Sequence, residues 1–286
     1  MKKKSILVTK AQGYVVPFSE EKLKRSLARS GADKQLANAI VKEIKPKLYD
    51  GIPTKEIYKM AFALLKADSR SVAAKYHLKN GIMELGPSGY PFEKFVGEIL
   101  KHQGYTVQIG EIVQGKCVTH EVDVIAQKYN NHFMIECKYH NLPGNISSVK
   151  TSLYIHSRFK DVEAMWLKLK GHENKFHQGW LVTNTRFTGD AIQYGVCAGL
   201  KLIGWDYPNN ESLKDQIDQL GLYPLTCLTS LTKAEKVALL EKDVVLAKEI
   251  YNNEKLLLSI GVKPGRIKTI LDEVKQLCAQ HLAKKK

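Results

Sequence analysis

The chain has no pair of cysteines at CxxC spacing: Cys117, Cys137, Cys197, Cys227 and Cys278 are scattered singly. That scatter argues against a structural zinc site built on thiolates and against a disulfide framework, and it predicts a reducing, cytoplasmic setting. No apolar run approaches the roughly 20 residues that a membrane span needs, so no membrane partner is expected. The basic start Met1-Lys2-Lys3-Lys4 leads into an apolar stretch that Lys10 interrupts too soon for a signal peptide. Acidic residues are the scarce charge: 29 against 44 basic ones leave a net +15. The excess is uneven, with 18 basic and 8 acidic residues in 1–88, 13 and 11 in 89–208, and 13 and 10 in 209–286. A basic first third suits nucleotide or nucleic acid, and a near-neutral middle is what results when acids that hold a metal offset bases that meet phosphate. With 286 residues and 44% hydrophobic content, the chain is long enough for two or three globular domains.

What is present centres on two short apolar runs that carry acids. His120-Glu121-Val122-Asp123-Val124-Ile125-Ala126 and Phe133-Met134-Ile135-Glu136-Cys137-Lys138 both alternate at the period of a strand. Glu136 and Lys138 therefore share one face, about 6 to 7 Å apart. The connector from Gln127 to His132, with Asn130-Asn131 at its turn, is short enough for an antiparallel hairpin that brings Asp123 beside them. Two carboxylates and an ammonium on one face suit phosphodiester hydrolysis. The acids can hold Mg²⁺ or Mn²⁺, and the lysine can orient the attacking water or meet the developing charge. A surface hairpin with ordinary solvated charges is the alternative from these residues alone.

Asp123 followed by Glu136-Cys137-Lys138 resembles the D…(D/E)xK core of the PD-(D/E)xK nucleases. Upstream, Tyr90-Pro91-Phe92-Glu93 to Gly104-Tyr105 has apolar residues at 92, 95, 96, 99 and 100, a helix that ends at Gly104. Phe-Glu at its start and Gly-Tyr at its end resemble the Mrr-like branch of that superfamily. Gly179 to Ile192 and Gly199 to Asp206 resemble the branch's last strand, helix and strand, so the order helix, strands, helix, strand, helix, strand spans 89–208. The resemblance implies an α/β/α domain, a DNA substrate, catalytic Asp123, Glu136 and Lys138, metal on Asp123 and Glu136, and a supporting role for Glu93. Glu93 is also an ordinary acid in a helix's first turn. Thr119-His120-Glu121-Val122-Asp123 departs from the glycine-flanked Asp-x-Gly-x-Asp usual there. His140, in the loop after Lys138, either touches phosphate or acts as an acid at the rim of the site, or is a loop histidine that does neither.

The first 88 residues carry a separate pattern. Leu7 to Phe18 reads as a β-hairpin turning at Gly13, followed by Ser19 as the cap of a helix. With Tyr49 to Ile57 and Ser71 to Leu78, this closely resembles the ATP-cone, the nucleotide-binding module of ribonucleotide reductases and of the repressor of their genes. The resemblance implies that Val8 and Lys10 lie on a nucleotide-binding hairpin, that Lys22 meets the phosphates, and that Thr54 closes the pocket at a helix start. Lys10-Ala11-Gln12-Gly13 lacks an arginine of the usual Lys-Arg-Asp-Gly. No Walker sequence is present, so ATP or dATP is expected as an allosteric effector, and related cones act by changing subunit contacts, which implies a homo-oligomer.

Residues 209–286 read as helical, with a capped start at Ser230 to Glu235 and a helix, turn and helix over Leu256 to Leu271. Gly261 and Gly265 are too far apart for a helix-hairpin-helix, which favours a plain αα-hairpin. The expectation is a multidomain α/β chain: a mostly helical ATP-cone with a short hairpin (1–88), an α/β/α restriction-endonuclease-like domain (89–208) and a C-terminal helical domain (209–286). Its function is expected to be Mg²⁺-dependent DNA cleavage of the type IV restriction kind under nucleotide control. The alternatives are a nucleotide-sensing DNA-binding regulator with an inactive nuclease fold, and a DNA repair or processing nuclease.

Overall fold

A computed structural model describes residues 6–172 and 175–282. The Lys284-Lys285-Lys286 tail, expected to be disordered, lies outside them. Strands β1 (Leu7–Thr9) and β2 (Val15–Pro17) form the expected hairpin, Val8 opposite Val16. Gly13 closes the turn at φ +86°, a backbone region where a side chain is strained, and its N–H donates to the Lys10 carbonyl (2.9 Å). Ser19 caps α1 (Glu20–Arg29) by accepting the Lys22 N–H at 3.2 Å. Then come α2 (Lys34–Ile44), β3 (Ile52–Pro53), α3 (Thr54–Asp68), α4 (Arg70–Tyr76) and α5 (Leu78–Met83). β3 pairs parallel with β1, and Leu23, Leu27, Ile40, Ile44, Ile57, Ala61 and Leu65, at helical spacing, bury against Val8 and Ile52.

The middle of the chain runs α6 (Tyr90–His102), β4 (Thr106–Gln114), β5 (Thr119–Lys128), β6 (Asn131–Lys138), β7 (Ile146–Ser147), α7 (Val149–Trp166), β8 (Phe176–Thr183), β9 (Arg186–Phe187), α8 (Gly189–Cys197), β10 (Lys201–Ile203) and α9 (Leu213–Leu220). Five strands form one sheet in the order β10-β8-β6-β5-β4, antiparallel from β4 to β6 and parallel from β6 to β10. The β5–β6 hairpin is tighter than expected: pairing continues to Lys128 opposite Asn131, so the turn is Tyr129-Asn130, with Tyr129 at φ +53°. Met134 faces Ile155, Phe159 and Val162 of α7 on one side of the sheet. On the other side Gly97 of α6 packs so closely on Val107 and Ile109 that a β-carbon would sit 2.9 Å from Ile109. The central sheet is thus covered on both faces, as α/β/α packing requires.

At the C-terminal end are α10 (Lys233–Glu241), opened by a reciprocal capping box of Thr232 and Glu235, then α11 (Glu254–Ser259) and α12 (Pro264–Leu282), an αα-hairpin turning at Gly261. The chain divides into two compact units, one made of residues up to Gly81 together with those from Tyr223 onward, the other of Ile82–Leu222. In the first unit α12 packs on α4, and Thr226 Oγ1 donates to the Gly81 carbonyl at 2.6 Å. A β-carbon on Gly81 would lie 2.5 Å from Cys227 Sγ, so only glycine permits that approach. No helix among the described residues is long and apolar enough to cross a membrane.

Candidate active site

The strand ends of the second unit gather the acids. Val124 pairs with Ile135, so Asp123 falls beside Glu136 one step further along the hairpin, and Asp123 Oδ2 accepts the Cys137 N–H at 2.7 Å. Glu136 is buried, and Lys138, two residues on along the same face, is exposed. Glu93 enters from the first turn of α6.

Burial raises all three carboxyls, and nearby acids add to it: Asp123 raises Glu136 and Glu93, and Glu121 raises Asp123 and Glu93. Glu136 is pushed up to about 8, first by burial and then by Asp123, with Glu93 adding and Arg158 opposing. Glu93 rises to about 7 through burial, Asp123 and Glu121. Asp123 rises through burial, partly offset by the Cys137 N–H, Arg158 and Lys138. Mutually repelling, half-desolvated acids are the donor set that a hard divalent cation relieves, and oxygen ligands are what Mg²⁺ and Mn²⁺ prefer. The donor set therefore fits the ion expected from sequence, although the three carboxylates stand further apart than a group of donors within 4.8 Å of one another.

Two contributors to the site were not read from the sequence. Arg158, on α7, puts Nη1 2.5 Å from Glu136 Oε1, an ion pair between two largely buried groups. It also donates to the Glu121 carbonyl and, through Nε, to His120 Nδ1 at 3.4 Å. His120 Nε2 in turn meets Asp161 Oδ2 at 2.8 Å, and this bond is the main reason the Asp161 carboxyl lies well below its usual range. Asp161 also accepts the Cys117 and Val118 N–H groups. Helix α7 thus braces β5 and holds a guanidinium against the buried glutamate. No local pattern marks these residues; a helix whose polar face carries Arg158 and Asp161 three apart was the available signal. Replacing Arg158 with methionine leaves Glu136 buried without a cation and is expected to destabilise this unit by about 3 kcal/mol, less whatever proton uptake by Glu136 recovers. Urea unfolding at pH 9, where that recovery is smallest, checks it.

His140 is held in place by its surroundings. Its N–H donates to Asn184 Oδ1 (2.9 Å), its carbonyl accepts from Asn184 Nδ2 (2.9 Å), and Nε2 lies 3.0 Å from Ser147 Oγ. These bonds fix the loop after Lys138 and give the imidazole a structural job.

In the first unit the β1–β3 register, Val8 with Ile52 and Thr9 with Pro53, carries Lys10 alongside Thr54, the first residue of α3. Lys22 stands exposed in the first turn of α1. Val8 is 3% exposed and belongs to the core, so its side chain is packed rather than free for a ligand. Glu20, beside Lys22, is paired with Lys24 (2.8 Å) and Lys45 (2.9 Å), which neutralises an acid at the start of α1.

A five-stranded mixed sheet with an acid pair and a lysine at one hairpin defines a restriction-endonuclease-type nuclease domain. Comparison with family models agrees: residues 86–206 match a restriction endonuclease domain, 6–79 an ATP cone domain, and 223–278 the C-terminal region of AF1548-like proteins. An uncharacterized protein of Archaeoglobus fulgidus is 33% identical over 183 residues, which cover 64% of this chain and 99% of that protein. The crystal structure of a protein of unknown function, AF1548, is 32% identical, covers 68% of this chain and all of its own, and superposes with a TM-score of 0.56. The chain belongs to the AF1548-like family and joins to it an N-terminal ATP cone.

Proposed function

We propose that this protein is a Mg²⁺- or Mn²⁺-dependent DNA endonuclease of the type IV restriction kind, gated by ATP or dATP on its cone and acting as a homo-oligomer in the cytoplasm. The observation that carries the reading is the convergence of Asp123, Glu136 and Lys138 on paired strands, with Glu93 close enough to raise Glu136. Asp123 and Glu136 would hold the ion, which supplies charge neutralisation at phosphate and a more acidic water. Lys138, exposed at the strand end, would orient the attacking oxygen and meet the charge that builds on the phosphate. Glu93 would accept a proton from that water, since a carboxyl raised to about 7 exchanges protons near neutrality. Arg158 would release Glu136 toward the ion or remain as a second cation beside the phosphate.

The test is cleavage of unmodified, methylated and branched DNA by the full chain, with and without Mg²⁺ and nucleotide, alongside sedimentation. Cleavage that needs the divalent ion, and that shifts together with mass as ATP or its non-hydrolysable analogue is added, is the expected result. A nucleotide couples two states only by binding them unequally, so a flat mass and rate at saturating ATP would remove the gating. A second reading, a nucleotide-sensing DNA-binding regulator, has one observation in its favour: Arg158 already partners Glu136. Tight DNA binding without cleavage under every ion would establish it. Preference for branched or damaged DNA over methylated DNA would instead favour a repair nuclease.

Mg²⁺ uptake should be coupled to proton release. Folded-state values of about 7 for Glu93 and about 8 for Glu136 leave both largely protonated at pH 6.5, and a carboxylate must lose its proton to hold the ion. Affinity is expected to rise with pH through 7 to 8, and titration heats at pH 7 to depend on the buffer's ionisation enthalpy. Because the folded values exceed the ordinary glutamate value of 4.5, folding without metal takes up protons, so the stability of this unit falls as pH rises from about 4.5 to 8. Glu136→Gln should flatten both dependences.

A further inference from the structure

His132, near the start of β6, and His177, near the start of β8, are register partners in the parallel β6–β8 pair, so their side chains emerge side by side on one face of the sheet. His172, in the connection between α7 and β8, joins them. The three residues offer nitrogen atoms that all lie within 4.8 Å of one another, and among the described residues no other group of three His, Cys, Asp or Glu side chains comes together so closely. Trp166, at the end of α7, covers His132 with its ring at 4.1 Å between centroids. His177 is 8% exposed, yet neither of its ring nitrogens has a hydrogen-bond partner among the described residues, and His132 Nδ1 has none either. Buried nitrogens without partners are unfavourable, a penalty that a shared ligand would remove. Burial also keeps His132 a neutral base, down to about 4, and lowers His177 in the same direction, so their lone pairs are available at neutral pH.

We propose that His132, His172 and His177 form a binding site for a divalent transition metal of the zinc class, separate from the carboxylate site. Three imidazoles and no carboxylate select against Mg²⁺ and Ca²⁺, which want oxygen, and suit Zn²⁺, Co²⁺ or Ni²⁺. Zinc–nitrogen bonds of about 2.0 to 2.1 Å put tetrahedral ligands roughly 3.4 Å apart, so the rings close by little more than 1 Å on binding. The expectation against structural zinc rested on cysteine spacing, and this site uses none. Lys175 Nζ lies 3.1 Å from His172 Nε2, a cation that swings away as the ion enters. The bound ion ties the α7–β8 connection to the sheet. Along β6, His132 is four residues from Glu136, about 13 Å, so the two sites are measured independently.

The probe is Co²⁺ added to the full chain stripped of metal, read by its visible d–d absorption, with Zn²⁺ as competitor. One equivalent binding with intense tetrahedral bands is expected, unchanged in Asp123→Asn/Glu136→Gln and abolished in His177→Ala. Zn²⁺ at a hundredfold excess over Kd should raise Tm of the sheet-containing unit by roughly 5 °C or more. Should His177→Ala fail to fold, the half-buried His172→Gln carries the test, with at least a tenfold loss of affinity expected. Lys175→Ala should bind Co²⁺ more tightly. Absence of the bands, their survival in both histidine variants, or their loss in the carboxylate double variant overturns the site.

Discussion

Alanine at Asp123, Glu136 or Lys138 is expected to lower divalent-dependent DNA cleavage by at least about a thousandfold while leaving most DNA binding in place. Each loss has its own cause. Without either acid the proposed ion would lose a ligand and the water its acidity, and without the lysine the attacking oxygen would lose its partner; groups that act as a unit typically cost on the order of 10³ or more when one is removed. Affinity for DNA would come mainly from phosphate contacts made elsewhere and so would survive. Glu136→Ala removes a buried acid whose desolvation and repulsion are unfavourable in the metal-free fold, so it should not lower thermal stability, whereas Arg158→Met should. Single-turnover cleavage with Mg²⁺ and filter binding with Ca²⁺ separate the two effects. Wild-type rates in any of the three variants would remove the assignment. Glu93→Gln should cost less, since the helix acid is expected to support the ion rather than to define its site.

The second large effect concerns the cone. Lys22→Ala is expected to weaken ATP or dATP binding roughly ten- to hundredfold, the consequence of losing a charge-assisted phosphate contact worth about 1.5 to 3 kcal/mol. Lys22 stands exposed in the first turn of α1, and Lys10 runs alongside Thr54 at the start of α3, so two cations and two helix N-termini are available to a triphosphate. Calorimetry should use the full chain. Residues from Tyr223 onward pack on α4 and against Gly81, and a fragment ending at 88 would expose that apolar face. No heat with any nucleoside triphosphate would mean that Ala11 and Gln12, in place of the family's usual residues, have disabled the pocket. Thr54→Ala should have a smaller effect, and Val8→Ala should act through stability, because its side chain is core.

Much of the fold was legible because the signals are local. Period-two alternation over Val122–Ala126 and Phe133–Lys138 gave two strands, and period 3.6 over Phe92–Leu100 gave the helix that precedes them. Ser19, Thr232 with Glu235, and the glycines at 13, 104 and 261 marked ends and turns that the structure uses as expected. The exact turn of the central hairpin shifted by one residue, since strand pairing ran on past the apolar run into Lys128 and Asn131, where backbone hydrogen bonds rather than burial extend the ladder.

The sequence by itself determined the strands, the helices, the acid pair and the lysine, since each depends on residues a few positions apart whose side-chain direction follows from backbone period alone. Only the tertiary structure decided which distant groups face them. Arg158 reaches Glu136 from a helix, His120 finds Asp161 across the β5–α7 contact, and His132 meets His177 because β6 and β8 pair in one register and not the next. It also decided that the C-terminal helices complete the cone's unit. Those pairings are set by how a sheet is ordered and which helix covers which face, and burial there, not spacing in the chain, raises Glu136 and leaves His177 without a partner.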